Sequence, residues 1–444
     1  MSLNKLEKES IWKLFISYAL PSVFAMVVMS IYIVIDGIFV GQFVGPNALA
    51  AVNIALPVYS ITFAISIMFS TGTFTVVGIQ LGEGDIKSSN NSFMLGLYGL
   101  IIVNIVIAIL IFAFGDTLAR LLGASDLIFD QVKGFMVILA LFAPGFGLSG
   151  FFAHGIRTMG YPNYSMMCNV LGAVLNIILD YIFIVKLGYG VEGAALGSGI
   201  AFTIAALVGA IPFIKKDSPL KFGRCIFNIK SLMRFIYNGA SEALAEFGFA
   251  FTTFVFNIVL IRQIGESGVT AFSIVSYISS LVIAVYLGVS TGIGAIFSYN
   301  YGAKRFTRIL KLLKISLISI LILGVLCTLG ITIFGKHLIK LFIHDTPDLL
   351  ALTIHAANLY SLSFLISGLN ILSSGFFTSI ERPRESVLIS ILRGVIFITI
   401  FLIILPLVIG SDGIWLTLLF SELSTLIVSI YLLTITIKKL RLQT

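Results

Sequence analysis

The sequence predicts an all-helical membrane protein with twelve transmembrane helices, arranged as two six-helix parallel repeats. Three observations predict this fold class: the composition, the length of the apolar runs and a basic loop at the centre of the chain. Of the 444 residues, 58% are hydrophobic and only 11% are charged. Too few charged residues are present to cover a soluble protein of this length, so a lipid bilayer is the expected surroundings.

Apolar runs of about 18 residues or more are long enough to cross a bilayer as helices. The runs in this chain are continuously apolar, whereas the strands of a membrane barrel alternate apolar and polar residues. Twelve such runs occur, at residues 15–40, 50–80, 93–114, 135–157, 164–185, 193–214, 235–261, 268–299, 315–334, 355–380, 386–409 and 414–437.

The basic residues predict how these spans are oriented. With the N-terminus in the cytoplasm, 21 of the 28 basic residues fall in the terminal and even-numbered loops, and six fall in the other loops. The positive-inside rule therefore predicts a multi-pass protein of the inner cell membrane, with both termini in the cytoplasm. The same rule explains the net charge of +8, so no nucleic-acid partner is expected.

The longest break between spans is polar and basic, and it divides them six and six. We therefore predict an N-terminal lobe at 1–214, a cytoplasmic linker at 215–234 and a C-terminal lobe at 235–444. Because each half has an even number of spans, the two repeats run in the same sense across the membrane.

Sliding the chain against itself by 220 residues supports the repeat. Gly45 then meets Gly265, and Ser70-Thr71-Gly72 meets Ser290-Thr291-Gly292. One such match is expected by chance, but several at a single offset indicate an internal repeat.

The fifth span carries one full charge, Asp180, and one amide a helical turn earlier, Asn176. A carboxylate in an apolar span must be paired, protonated or in contact with a cation. Asp36 in the first span is about as far from its outer end as Asp180 is from the end of the fifth, so at about 1.5 Å per residue their depths match. Ser198 in the sixth span and Asn53 in the second lie at a similar depth.

Two carboxylates at one level cannot both stay ionised unless a cation enters, so we expect a coupling site there. A sodium ion at Asp36, Asn176 and Asp180 is one expected occupant, and a shared proton is the other. The alternative is that the two aspartates cap or hydrogen-bond separate helix ends. Asp36 and Asp180 match apolar residues at offset 220, so the site is predicted for the N-terminal lobe alone.

Other residues within the spans suggest a substrate cavity and a hinge. Glu246, near mid-membrane in the seventh span, can be the counter-charge for a cationic substrate. Phe247 and Phe254 can contact aromatic cations through cation–π interactions, although such residues also pack or face lipid. Pro21 interrupts the first span and is a candidate hinge, since proline removes a helix hydrogen bond.

Two charges remain in neighbouring spans of the C-terminal half, Arg393 and Glu422. We expect them to neutralise each other as a buried ion pair.

The order and spacing of several motifs resemble the multidrug and toxic-compound extrusion (MATE) transporters. These motifs are Pro21 with Asp36-Gly37, Ser70-Thr71-Gly72 and the stretch Gln80-Leu81-Gly82-Glu83-Gly84-Asp85. The resemblance covers essentially the whole chain. It implies a two-lobed MATE-type bundle and an antiporter that exports lipophilic organic cations in exchange for Na⁺ or H⁺ by alternating access.

The resemblance also implies roles for individual residues. Asp36, Asn176 and Asp180 match positions that carry the coupling cation, and Ser198 retains the hydroxyl of a position that is often threonine. Glu246 matches an acidic position that one branch of the family uses.

A lipid-linked oligosaccharide flippase of the same superfamily architecture is the alternative function. Such a flippase is expected to carry basic residues in its cavity for pyrophosphate, and Arg393 is the one arginine predicted inside a span. An enzyme is not expected, since the chain has no H-E-x-x-H and no D-D-x-x-D motif. The expected partners are lipophilic cations, the coupling Na⁺ or H⁺ and the bilayer, with no other cofactor, and the protein is expected to be a monomer.

Overall fold

The structure is a computed structural model that describes residues 3–340, 342–343 and 346–443. Within these residues the regular secondary structure is helical. The helices are α1 Leu3–Lys8, α2 Ile11–Phe39, α3 Pro46–Gly82, α4 Ile86–Leu121, α5 Phe129–Thr158, α6 Pro162–Asp180, α7 Gly190–Ile214, α8 Ile229–Gln263, α9 Glu266–Gly302, α10 Phe306–Ile339, α11 Pro347–Ser361, α12 Phe364–Ser379, α13 Pro383–Ile391, α14 Phe397–Ile409 and α15 Asp412–Arg441.

Three short π-helical segments interrupt or extend these helices. Val40–Val44 continues α2, Tyr181–Lys186 continues α6, and Leu392–Ile396 joins α13 to α14. A π-helical segment inserts a residue into the helix ladder and often marks a functional site. Each of the three lies next to, or contains, one of the intramembrane charges that the sequence singled out.

The prediction of twelve spans is confirmed, with one difference in detail. Within the described residues, eleven helices are long and apolar enough to cross a membrane, and a twelfth span is formed if α11 and α12 are taken together. These two helices are bent by 46° relative to each other, so the span predicted at 355–380 is a broken helix.

Side chains from neighbouring helices satisfy carbonyl groups beside this bend. The Tyr286 hydroxyl donates to the carbonyl of Phe364 at 2.8 Å, and the Thr328 hydroxyl donates to that of Ser361 at 3.0 Å. Such donors allow a helix to break inside a membrane without leaving polar groups unpaired.

The chain forms two compact units whose membership is interleaved in sequence. Unit 1 comprises Phe24–Ala243 with the N-terminal residues up to Glu9, and unit 2 comprises Ser10–Val23 with Leu244 onward. The helices α2 and α8, which open the two repeats, therefore each contribute one part to each unit. The lobe boundaries predicted from the sequence stay predictions, and α8 begins at Ile229, inside the predicted linker.

The repeated Ser-Thr-Gly motif has a packing role in each unit. In unit 1, a Cβ at Gly72 would collide with the carbonyl oxygen of Phe235 on α8. In unit 2, a Cβ at Gly292 would lie 2.8 Å from the carbonyl oxygen of Tyr18 on α2. Each glycine therefore allows close approach of the opening helix of the other repeat, which explains why the motif recurs at offset 220.

The matched pair Gly45 and Gly265 also has a shared structural reason. Both residues precede the second long helix of their repeat, and both have positive φ, at 115° and 90°. Only glycine adopts such conformations without strain, so the same turn is needed in both halves.

The central loop is fixed to unit 1 by side chains at the start of α4. Asn90 accepts a hydrogen bond from the backbone N–H of Lys221 and donates one to the carbonyl of Pro219. Phe222 packs against the ring of Phe93, at 5.8 Å between centroids. The loop before α8 is thus an ordered part of unit 1.

Candidate cation and substrate sites

The carboxyl groups of Asp36 and Asp180 lie within hydrogen-bonding reach of each other in unit 1. Asp180, at the end of α6, is fully buried, and Asp36 on α2 is partly buried. Both Asp180 oxygens and Asp36 Oδ1 are buried and accept no well-formed hydrogen bond among the described residues, although the Asn176 amide lies close to Asp180. Two ionised carboxylates can only accept, so the contact becomes a hydrogen bond only when one of them is protonated.

Asn176 and Ser198 complete this group. The Asn176 amide donates to the Ser198 hydroxyl at 2.8 Å, joining α6 to α7. Asn176 is fully buried, and its Oδ1 also lacks a donor within the described residues. Four acceptor oxygens without a donor are therefore gathered at one place, which is costly unless a cation or a proton is present.

Small residues of α7 allow this close packing. A Cβ at Gly197 would collide with Asp180 Oδ1, and one at Gly193 would lie 3.1 Å from the carbonyl carbon of Phe183. The glycines in this part of α7 are therefore needed to bring Ser198 up to Asn176 and Asp180.

The donor set determines which ions fit. Two carboxylates, an amide oxygen and a hydroxyl are hard oxygen ligands, which suit an alkali cation or a proton rather than a soft metal. Among the described residues, no group of three or more His, Cys, Asp or Glu side chains forms a metal site.

The structure does not bring Asn53 to this group. Its side chain is exposed on α3, and no hydrogen bond between described residues connects it to Asp36 or Asp180. Depth along a helix was the only argument for Asn53, and depth does not determine which way a side chain points.

The sequence analysis missed two tyrosines beside the carboxylates. Tyr32 precedes Asp36 by four residues, so it lies on the same helix face, and its hydroxyl is hydrogen-bonded to that of Tyr59 on α3. Tyr32 is 6% exposed, and its ring lies 5.6 Å from that of Phe202. The spacing to Asp36 is the signal that could have identified Tyr32.

Tyr59 also lines an apolar pocket between α3, α4 and α5. The lining of this pocket includes Phe63, Ser66 and Phe146. The ring of Tyr59 lies 5.9 Å from that of Phe146 in an edge-on arrangement. Through Tyr59 and Tyr32, an aromatic pocket is therefore linked to the carboxylate pair within one unit.

The residues predicted for the substrate cavity lie on α8 in unit 2. Phe247 and Phe254 are 58% and 63% exposed, and Glu246 is partly buried. The two phenylalanines are seven residues apart and so share a helix face, and Phe247 stacks on Phe251 at 6.2 Å between ring centroids. Their role in a cavity stays a prediction.

Pro21 lies inside α2, two residues before the junction at which the chain passes from unit 2 to unit 1. A hinge at this point would let the two parts of one helix bend differently, but its function stays a prediction.

The predicted ion pair between Arg393 and Glu422 is confirmed. Arg393 Nη2 lies 2.7 Å from Glu422 Oε1, and Nε donates to the same oxygen at 3.2 Å. Glu422 is 1% exposed, and its second oxygen accepts a hydrogen bond from Asn370 at 2.6 Å. Both oxygens of this carboxylate are therefore hydrogen-bonded within the chain, and its charge is balanced by Arg393.

Comparison with known proteins identifies similar chains and folds. A family model described as MatE matches residues 21–182 and 243–404. The second match begins 222 residues after the first (243 minus 21), close to the motif offset of 220. The two matched stretches together cover most of the chain.

Curated relatives align along nearly the full length. The multidrug export protein MepA of Staphylococcus aureus (strain MSSA476) is 25% identical over 418 residues, which are 94% of this chain and 92% of that protein. The MepA protein of Staphylococcus haemolyticus (strain JCSC1435) gives the same identity and coverage.

Solved structures share the fold. A MATE crystal structure in complex with MaL6 superimposes with a TM-score of 0.94 at 22% identity, covering 99% of both chains. A MOP superfamily transporter from Pyrococcus furiosus, whose description reports reverse polarity of the binding pocket and suggests a different function, gives a TM-score of 0.93 at 23% identity, covering 99% of this chain and 98% of that one.

Proposed function

The chain belongs to the MATE family of transporters, and we propose that it is a multidrug efflux antiporter, which exports lipophilic organic cations in exchange for Na⁺ or H⁺. The observation that carries this proposal is the pair of carboxyl groups, Asp36 and Asp180, held together with no counter-charge at hydrogen-bonding distance among the described residues.

The geometry of the pair supports a coupling role. Burial removes the water that would solvate the two charges, so the site is satisfied only by taking up a cation or a proton. Asn176 and Ser198 supply further oxygens at the same place. Binding and release of one monovalent cation is therefore the chemistry for which the site is suited.

The position of Asp36 connects ion binding to conformational change. Asp36 lies on the part of α2 that belongs to unit 1, and Pro21 lies on the part that belongs to unit 2. A cation that draws Asp36 toward Asp180 favours one arrangement of α2 over another, and it can shift the equilibrium only by its difference in affinity for the two. Alternating access with Pro21 as the hinge follows from this coupling.

The aromatic lining beside Tyr59 offers a contact surface for a lipophilic cation, and we propose that the pocket widens to admit one. Its rings offer cation–π contacts and apolar surface, and the nearby carboxylates offer negative charge. A cationic substrate in this pocket competes electrostatically with the coupling cation, which is the requirement for exchange. Glu246, Phe247 and Phe254 are proposed as a second set of substrate contacts in unit 2.

The flippase alternative receives less support. Its pyrophosphate would require a free basic side chain within the membrane, and the guanidinium of Arg393 is already bound to Glu422. The curated relatives named above are multidrug export proteins.

The membrane arrangement is part of the proposal. The distribution of basic residues favours a cytoplasmic position for both termini, and the cell's inner membrane is the setting that fits export. We propose a monomer, since one chain contains both repeats and the complete carboxylate group.

Transport in reconstituted vesicles tests the proposed function. Ethidium export is measured under a sodium gradient and a proton gradient imposed separately, for the wild type and for Asp180→Asn. The wild type is expected to respond to at least one gradient, and Asp180→Asn to neither. Asp116→Asn is the matched control, because Asp116 is an exposed aspartate paired with Lys133.

Two results would overturn the proposal. One is export by Asp180→Asn at the wild-type rate under the same gradient. The other is wild-type movement of a fluorescent prenyl-pyrophosphate lipid, with no ethidium export, which would favour the flippase.

A further inference from the structure

Unit 2 contains its own buried polar centre, which the transport proposal does not use. Its middle is Glu422 on α15, with Arg393 at one carboxylate oxygen and Asn370 at the other. Asn370 also donates to the backbone carbonyl of Glu422 at 2.8 Å and accepts from the Ser429 hydroxyl at 2.8 Å. Asn370 and Ser429 are fully buried.

This centre lies on the two helices of the second repeat that correspond to the helices of Asp180 and Ser198 in the first repeat. Asp180 and Ser198 belong to the fifth and sixth spans, and Arg393 and Glu422 belong to the eleventh and twelfth. At offset 220, Arg393 corresponds to position 173 (393 minus 220) and Glu422 to position 202 (422 minus 220). The centre of unit 2 is therefore one to two helical turns nearer the cytoplasmic ends of the same helix pair.

The two repeats also correspond in where a π-helical segment lies beside the buried charge. Tyr181–Lys186 directly follows Asp180, and Leu392–Ile396 contains Arg393. The second segment is held by neighbouring helices, since Ser421 donates to the carbonyl of Arg393 at 3.2 Å and Thr252 donates to that of Gly394 at 3.3 Å. The backbone that carries the guanidinium is thus fixed on two sides.

The two centres differ in one component. In unit 1 both Asp180 oxygens and Asp36 Oδ1 are buried without a hydrogen bond, whereas in unit 2 both oxygens of Glu422 accept one. The difference is the guanidinium of Arg393, which supplies a positive charge and two N–H donors to Glu422 Oε1.

We propose that the pocket around Glu422, Asn370 and the π-helical segment is a monovalent cation site whose cation is the covalently attached guanidinium of Arg393. When Arg393 is shortened, a free guanidinium ion or a sodium ion occupies the same place. In the native chain the guanidinium is covalently attached, so this site does not exchange its ion. This cation site is separate from drug export, and it can be tested without measuring transport.

The test uses purified full-length protein in detergent and measures the thermal unfolding midpoint. Arg393→Ala is compared with the wild type in choline chloride, sodium chloride and guanidinium chloride at equal, non-denaturing concentration. All variants carry Asp180→Asn, so that ion binding in unit 1 does not contribute to the differences between salts.

Removing the guanidinium leaves Glu422 buried without a counter-charge. Breaking such a pair is expected to lower the midpoint in choline by on the order of 10 °C. Guanidinium is expected to restore most of this loss and sodium part of it, while neither salt raises the midpoint of the parent protein. Arg382→Ala is the matched control, because Arg382 pairs with Glu385 where both side chains reach solvent, so no salt-specific rescue is expected.

Equal midpoints of Arg393→Ala in the three salts would overturn the proposal, since they would show that no free cation enters the pocket. If Arg393→Ala does not fold, the double variant Arg393→Ala with Glu422→Gln decides the matter. Recovery of folding in the double variant supports a neutralising role for the guanidinium. Failure of both, with Arg382→Ala folding normally, would show that the Arg393 side chain is required for packing instead.

Discussion

Asp180 in unit 1 and Glu422 in unit 2 are both almost completely buried carboxylates on corresponding pairs of spans, but their surroundings differ. Asp180 faces a second carboxyl group, Asp36, and its oxygens have no donor within the described residues. Glu422 faces an arginine and an asparagine that satisfy both oxygens. We propose that this difference separates a carboxylate that holds an exchangeable ion from one that stabilises a helix pair.

The largest expected effect is a difference in how much each of the two carboxylates contributes to the unfolding free energy. Glu422→Gln leaves the partly buried guanidinium of Arg393 without its counter-charge, which is expected to cost about 3 kcal/mol of unfolding free energy. Asp180→Asn removes a charge that has no partner, so it is expected to leave stability unchanged or raise it. Thermal unfolding in choline chloride measures both, and equal destabilisation by the two substitutions would contradict the distinction.

The next largest effect is expected on the ion-driven rate of export, which depends on the carboxyl pair in unit 1. Asp36→Asn removes one of the two carboxyl groups of the pair, and the ion-driven rate of ethidium export is expected to fall by about 100-fold, the upper range of typical coupling energies. Ethidium binding without a gradient is expected to persist, because the pocket beside Tyr59 is intact. Asp116→Asn again serves as the control, and export by Asp36→Asn within a few-fold of that control would argue against the pair.

A smaller effect is expected from closing the space around Asp180. In Gly197→Ala the added methyl group collides with Asp180 Oδ1, and such overpacking costs about 1–3 kcal/mol. We expect the affinity for the coupling ion to fall by roughly tenfold. Gly150→Ala on α5 is the control, because a Cβ there meets nothing within 4 Å. Equal ion affinities in the two variants would show that Asp180 Oδ1 is not a ligand.

The smallest effect concerns the amide and hydroxyl beside the pair. Ser198→Ala removes the acceptor of the Asn176 amide, and loss of one such hydrogen bond costs about 1 kcal/mol. The ion affinity is expected to fall by about fivefold. Ser198→Thr keeps the hydroxyl and is expected to retain the affinity, so a similar loss in both variants would attribute the effect to packing.

Much of the carboxylate site could be predicted from the sequence because polar residues stand out in apolar spans. Asp180, Asn176 and Asp36 were found in this way, and the structure places them together. Asn53 was assigned to the same level by depth, but the sequence does not show that its side chain is exposed on α3. Tyr32 was missed because tyrosine is common in spans, and its role depends on its partner on another helix.

The helix count and the repeat were predictable because apolar length and motif spacing are local properties. The bend between α11 and α12 was not, since residues 361–363 contain neither proline nor glycine and the bend depends on donors from α9 and α10. The interleaving of the two units was also not predictable, because an internal repeat shows which helices correspond but not which helices pack together.

We propose that unit 1 holds one exchangeable cation at Asp36 and Asp180 and that Glu422 in unit 2 holds none. The most direct measurement is the number of cations that ethidium displaces from the purified protein, followed as released sodium-22 and as released protons. The wild type and a folded Glu422→Gln variant are expected to release the same number, and Asp180→Asn is expected to release none. Release from Asp180→Asn equal to that of the wild type, or its loss in Glu422→Gln alone, would contradict the account.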